Sequence, residues 1–252
     1  MRKFIILCLF VILCPTMSIA GSTGNTWNDS FNKAKKVLER QVYSDHRITF
    51  YCGCPFDADK KVRPCDNYTP KKDGVRARRI EWEHVVPAAH FGRSFKEWRD
   101  GDPECVDSKG KRFKGRDCAG KVAVPYRYME SDLYNLYPAI GEVNGLRSNF
   151  RFGMIAGEKR DFGACDMEID RSAKVAEPSE RMRGDIARTY KYFDKAYPDR
   201  GIIGGASKKL FDAWDRQDPV DAWECERAKR IEAIQGNENL VVKAACIESG
   251  IW

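Results

Sequence analysis

The run Arg79-Ile80-Glu81-Trp82-Glu83-His84-Val85-Val86-Pro87-Ala88 sets a histidine beside a carboxylate inside an apolar, strand-like stretch. Further along the chain reads Asp132-Leu133-Tyr134-Asn135-Leu136-Tyr137-Pro138-Ala139-Ile140-Gly141-Glu142-Val143-Asn144-Gly145. Histidine, with an ordinary pKa of about 6.5, is the side chain best matched to general-base work near neutral pH. Carboxylate and amide oxygens suit Mg2+, which keeps several waters and seldom takes a full protein cage. A base, a hard carboxylate ligand and a later amide ligand are the parts needed to hydrolyse a phosphodiester with one metal ion. The chain has only His46, His84 and His90. His46 sits in a polar stretch and His90 lies past the strand, so His84 is the candidate base. Taken alone, His84 reads better as a core histidine with a satisfied hydrogen bond; Glu83 beside it changes that balance. One geometric difficulty follows: neighbours in a regular strand point to opposite faces. Glu83 and His84 must therefore sit at a strand end or bulge, or approach the phosphate from different sides.

The formal net charge is +7, and residues 60–128 hold 18 Lys or Arg against 10 Asp or Glu. The basic residues cluster at Lys71-Lys72, Arg76, Arg78-Arg79 and from Lys109 to Arg116, flanking the Glu83-His84 pair. A positive zone around a catalytic pair suits a polyanion, whose phosphates supply affinity without revealing sequence. A solvated basic surface explains the same charges equally well, so charge supports the chemistry without establishing it.

Arg2 and Lys3 precede an unbroken apolar run from Phe4 to Cys14, then Pro15 and small residues up to Ala20. That order is a secretory signal, and the run is too short to span a bilayer, which takes about 20 residues. Residues 1–20 are expected to leave as a signal peptide, with residues 21–252 forming one domain. Cys52, Cys54, Cys65, Cys105, Cys118, Cys165, Cys225 and Cys246 remain, an even set for an oxidising compartment. Four disulfides are expected. Cys105 with Cys118 and Cys225 with Cys246 are the local pairings, leaving the other four to pair among themselves. A zinc site is the weaker reading, because paired CxxC motifs are absent and histidines are few.

Apolar spacing predicts a helix from Thr26 to Tyr43, a cross-linked loop over 52–78 and a strand from Ile80 to Val86. Residues 92–121 read as a disulfide-tied excursion and Ala123–Tyr128 as a second short strand. Pro138 suits the first turn of a helix over Ala139–Asn149. Gly141 and Gly145 cost such a helix about 1 kcal/mol each relative to Ala. Packing or a bound ion must hold it. A short strand between Arg151 and Cys165 and helices at Glu180–Tyr197, Lys208–Gln217 and Val220–Ile234 complete the reading. The fold class is α+β: one mixed, disulfide-rich domain with a helical C-terminal part.

Trp82-Glu83-His84-Val85-Val86-Pro87-Ala88 with Phe91-Gly92, the stretch from Asp132 to Gly145, and Arg147-Ser148-Asn149-Phe150 closely resemble the bacterial endonuclease I family. The resemblance continues through Arg183-Gly184 to Tyr190, Pro219-Val220-Asp221 to Cys225, and Ile234-Gln235-Gly236-Asn237, so it spans most of the chain in consistent order. It implies an exported nuclease with a ββα-metal motif, cutting DNA and often RNA with little sequence preference and leaving 5′-phosphate and 3′-hydroxyl ends. By that resemblance His84 matches the general base, and Glu83 and Asn144 match the ligands of Mg2+, with Mn2+ or Ca2+ able to substitute in binding. Arg116 matches the arginine that steadies the phosphate, with Arg112 or another basic neighbour as the alternative. Where relatives often carry His-Asn, this chain has Tyr134-Asn135; Asn135 either supports the site from behind or is a turn residue. A monomer in the periplasm or the medium, free of the membrane once the signal is removed, is expected.

The rival from another class is a secreted, disulfide-rich protein that binds nucleic acid or an acidic polymer without chemistry. It explains charge and cysteines but not Glu83-His84 together with Asn144. A metalloprotease of the HExxH kind is disfavoured, because Ala88 stands where the second histidine would be.

Overall fold

The computed structural model describes residues 24–157 and 159–252. The expected signal peptide and the domain start at residue 21 lie outside the described residues. Ser30 opens the first helix: its hydroxyl accepts the backbone N–H of Lys33, and α1 (Phe31–Val37) runs on into a wider π-helical turn over Leu38–Val42. This start is later than the apolar spacing predicts. Asn25 and Asn28 bind the backbone of residues 27, 28 and 30, holding that stretch in turns instead.

The loop over 52–78 is tied internally by Cys54–Cys65 and to a distant segment by Cys52–Cys165. It ends in a 3-10 turn at Val75–Arg78 and passes into β1 (Ile80–His84). The chain then makes a helical excursion through α2 (Ala88–Gly92), α3 (Lys96–Arg99), α4 (Arg116–Val122) and α5 (Val124–Glu130). Cys105–Cys118 ties this excursion, and Cys225–Cys246 is the other local pair, as expected. The strand expected at Ala123–Tyr128 is α5 instead. Val122, Val124, Tyr126 and Tyr128 alternate like a strand. Pro125 in the first turn and the buried pair Tyr126 and Met129, three residues apart, show the helical face that wins.

β2 (Leu136–Ile140) returns antiparallel to β1, with Ile80 opposite Ile140 and His84 opposite Leu136. Pro138 therefore lies in a strand, not at a helix start. This sheet is only two strands wide, so the missing N–H of Pro138 faces its outer side, where its carbonyl accepts the N–H of Phe50 at 2.7 Å. α6 (Gly141–Arg147) follows without a break and packs on both strands, giving a strand-strand-helix unit.

β3 (Arg151–Phe152) pairs parallel with β5 (Val175–Pro178), and β4 (Met167–Asp170) pairs antiparallel with β5. The remainder is helical: α7 (Glu180–Ala196), α8 (Gly205–Gln217), α9 (Ala222–Gln235) and α10 (Leu240–Glu248). α9 begins two residues after the expected Val220 because the Asp221 carboxylate caps it, accepting the N–H of Glu224 at 2.7 Å. α7 buries Ile186, Ala187, Tyr190 and Phe193 in the core. Its buried Arg188 forks onto Glu224, with contacts of 2.8 and 2.6 Å. Arg227 of α9 donates to the carbonyls of Leu133 and Leu136 and to the hydroxyls of Tyr43 and Tyr137, fixing the entry to β2. Among the described residues no helix is long and apolar enough to cross a membrane.

Candidate active site

β1 stops at His84 because the following chain is captured from the side. Asn135, wholly buried, accepts the N–H of Val86 at 2.7 Å and donates to its carbonyl at 2.9 Å. Its own carbonyl accepts the N–H of Val85. Asn135 ends a 3-10 turn over Leu133–Asn135 and also clamps the chain just after the histidine, so features of both readings are present. Tyr134 has no such role: it is buried against Tyr192, and its hydroxyl donates to the carbonyl of Asn237.

The His84 ring is buried beside Phe31, centroids 4.9 Å apart, and Nε2 lies 2.8 Å from the carbonyl oxygen of Glu130. A carbonyl only accepts, so Nε2 carries the proton and Nδ1 keeps the lone pair. Burial, reinforced by the nearby Arg116 charge, lowers the His84 pKa to about 3. Burial thus favours the neutral ring, with its lone pair on Nδ1.

Glu83 points to the other face of β1, as alternation requires. Its Oε1 accepts the Tyr51 hydroxyl at 2.7 Å and Nη1 of Arg147 at 2.7 Å. Arg147 is itself fully buried and also donates to the carbonyls of His84 and Val85 at 2.9 and 2.7 Å. Burial raises the Glu83 pKa, and the Arg147 charge opposes that rise. Glu83 Oε2 takes no hydrogen bond from the described residues.

A cleft of about 670 Å3 wraps the end of β1 and is lined by residues of both its faces, Glu83 and His84 included. Opposite faces of the strand and one shared cleft are therefore compatible. Asn144, from α6, also lines the cleft; its Nδ2 donates to Glu81 Oε2 at 3.1 Å, and its Oδ1 takes no hydrogen bond from the described residues. Arg116 lines it from the start of α4, half exposed, with Nε on Glu130 Oε1 at 2.7 Å. Arg112 is not among the lining residues; its backbone bridges to Val106. Lys35, Lys60 and Arg79 add positive charge to the same walls, with Phe31 and Trp98 as apolar shelves.

Glu83 Oε2 and Asn144 Oδ1 are hard oxygen donors left unspent in one cleft, the donor chemistry that suits Mg2+. Among the described residues no three His, Cys, Asp or Glu side chains converge as a metal site. A cation here would rely on these two side chains, water and substrate oxygens.

Several contributors escape sequence reasoning. Tyr51 and Glu130 reach the site through tertiary contacts that no local spacing announces. Arg147 leaves a faint signal, standing one helical turn beyond Asn144.

The endonuclease I family model matches residues 23–246. The chain belongs to the endonuclease I family. Among its relatives, an extracellular deoxyribonuclease of Aeromonas hydrophila is 40% identical over 240 residues, covering 93% of this chain and 96% of that protein. A periplasmic deoxyribonuclease of the same organism is 42% identical, covering 86% of each chain. Endonuclease-1 of Buchnera aphidicola subsp. Acyrthosiphon pisum is 40% identical, covering 86% of this chain and 82% of that protein. Among the sites described here, the cleft at the end of β1 is the one that gathers His84, Glu83, Asn144 and Arg116 of this endonuclease I chain.

Proposed function

We propose that this endonuclease I chain is an exported, largely sequence-nonspecific endonuclease that hydrolyses DNA, and RNA as well, leaving 5′-phosphate and 3′-hydroxyl ends. Export follows the relatives named extracellular and periplasmic, and places the protein in the periplasm or the medium. It acts as a monomer.

One observation carries the chemistry: a neutral histidine with its proton fixed on the far nitrogen shares a cleft with two unspent oxygens and an arginine. His84 Nδ1 takes the proton of the attacking water as its oxygen meets phosphorus. The Glu130 carbonyl holds the ring in register and favours the imidazolium that results. Arg116 faces the phosphate and offsets charge that grows on its non-bridging oxygens. Glu83 and Asn144 would hold one Mg2+, for which Mn2+ or Ca2+ can substitute in binding. When bound, that ion supplies Lewis-acid relief of charge on the phosphate and on the leaving 3′ oxygen. Lys35, Lys60 and Arg79 grip the backbone on either side, contacts that do not read sequence.

Incubating purified protein with plasmid DNA and with RNA, in Mg2+ and then in EDTA, tests the proposal. Degradation of both that chelation stops is expected. Retention of plasmid on the protein without any nicking would instead favour a binding protein.

A further inference from the structure

α6 carries two glycines in seven residues, and neither has the positive φ that would require one. Both glycines face the Arg76–Glu81 pair, which lies across the helix. A Cβ on Gly145 would overlap the Arg76 guanidinium, and a Cβ on Gly141 would come within 2.9 Å of the Arg76 carbonyl oxygen and 3.0 Å of the Glu81 carboxylate. Arg76 uses that lane to fork onto Glu81, with Nε–Oε1 at 2.9 Å and Nη2–Oε2 at 2.5 Å. Arg79 adds a contact to Oε1 at 3.3 Å. Glu81 Oε2 in turn accepts Asn144 Nδ2.

An asparagine amide has two orientations of nearly the same shape, and only one turns its oxygen to the cleft. A carboxylate accepts and cannot donate, so the group Asn144 turns toward Glu81 must be its NH2. We propose that Glu81, braced by Arg76, is a positioning residue that sets the amide orientation of Asn144 and so offers oxygen, not NH2, to a divalent cation. Gly145 leaves room for the Arg76 guanidinium, and Gly141 for the Arg76 backbone and the Glu81 carboxylate. This rests on the reading of Asn144 as a metal ligand.

The test is Mn2+ binding to the metal-free protein, read by the electron paramagnetic resonance signal of free Mn2+, with neither DNA nor turnover involved. Glu81→Gln presents a side chain that can donate or accept, so it no longer selects one orientation. It should weaken Mn2+ binding about tenfold, in the range for residues that orient metal ligands. Asn144→Asp places oxygen at both positions, so orientation ceases to matter. In that background Glu81→Gln should leave binding unchanged or tighten it, because a like charge beside Asp is removed. Gly145→Ala favours the helix yet should also weaken Mn2+ binding by displacing Arg76. Equal losses from Glu81→Gln in both backgrounds would overturn the inference, since Glu81 would then act through its charge or through the fold. So would a Glu81→Gln protein that binds normally while Asn144→Ala does not. Unchanged binding in Asn144→Ala would instead remove the ligand reading itself, and the inference with it.

Discussion

Glu130 holds His84 and Arg116 at once: its backbone carbonyl takes His84 Nε2 at 2.8 Å, and its carboxylate takes Arg116 Nε at 2.7 Å. The two contacts come from different parts of one residue at the end of α5, so they can be separated by mutation. Glu130→Gln keeps the backbone carbonyl and alters only the side-chain contacts, to Arg116 and to the Tyr126 hydroxyl. It should lower single-turnover cleavage less than Arg116→Ala, which should cost about 100-fold, the scale of losing one donor to a developing charge. Glu130→Gln should leave the pH dependence of the rate unchanged, whereas Arg116→Ala removes a charge that lowers the His84 pKa and should shift the acidic limb to higher pH. A Glu130→Gln profile shifted like that of a His84 variant would show that the side chain, not the carbonyl, supports the base.

Arg147 and Glu83 form a buried ion pair, with the arginine also holding two carbonyls of the strand end. Removing one partner of such a pair costs about 3–5 kcal/mol, because the other charge is left buried and alone. Arg147→Met should lose that much in urea unfolding. The double variant Arg147→Met/Glu83→Gln should recover part of it. Loss in the double variant equal to or larger than in the single would place the cost in the carbonyl contacts instead.

His90 offers a pH signature away from the catalytic pair. Its Nε2 lies 3.0 Å from the carbonyl of Asn149, and burial, aided by the Arg147 charge, lowers its pKa to about 4. An unfolded histidine titrates near 6.5, so above that pH both states are neutral and the full stability is present. As pH falls from about 6.5 toward 4, the unfolded chain takes up a proton that the fold refuses, and stability is lost. His90→Gln keeps a donor for the carbonyl and removes the titration. Its stability relative to wild type should therefore rise between pH 7 and pH 4.5 in urea unfolding. A difference that stays constant across that range would contradict the assignment.

Cys52–Cys165 lies next to Tyr51, whose hydroxyl holds Glu83. The disulfide thus anchors the chain beside a residue of the site, and reduction should free it. Reduced protein should cleave plasmid at least tenfold more slowly than oxidised protein, which would spare the chromosome before export. Equal rates with and without reductant would show that the loop stays in place unaided.

Much of this site is legible in the sequence because its chemistry sits in short runs. Glu83-His84 stand within β1, whose existence follows from apolar patterning although it ends two residues earlier than expected, and Asn144 stands in α6, a helix expected over Ala139–Asn149 that spans Gly141–Arg147. The alternation rule also states correctly that Glu83 and His84 diverge, and the cleft resolves the difficulty by wrapping the strand end. Pro138 and Ala123–Tyr128 are misread for a local reason: proline on an outer strand edge resembles proline at a helix start, and a two-residue alternation over so few positions fits either element. The hairpin of β4 and β5 and the helix α10 carry too little periodicity to be seen. Tyr51, Glu130 and the Arg76–Glu81 fork are invisible for a different reason. Tyr51 and Glu130 act across tens of residues of sequence, and the Arg76–Glu81 fork, though only five residues apart, depends on the turn into β1 and the helix it lies across.

The most direct test is single-turnover cleavage of supercoiled plasmid by His84→Ala in saturating Mg2+, with DNA binding measured on the same protein. A loss of about 100- to 10,000-fold with binding retained is expected, the range for removing a general base. Near wild-type turnover by that variant would contradict hydrolysis driven by His84.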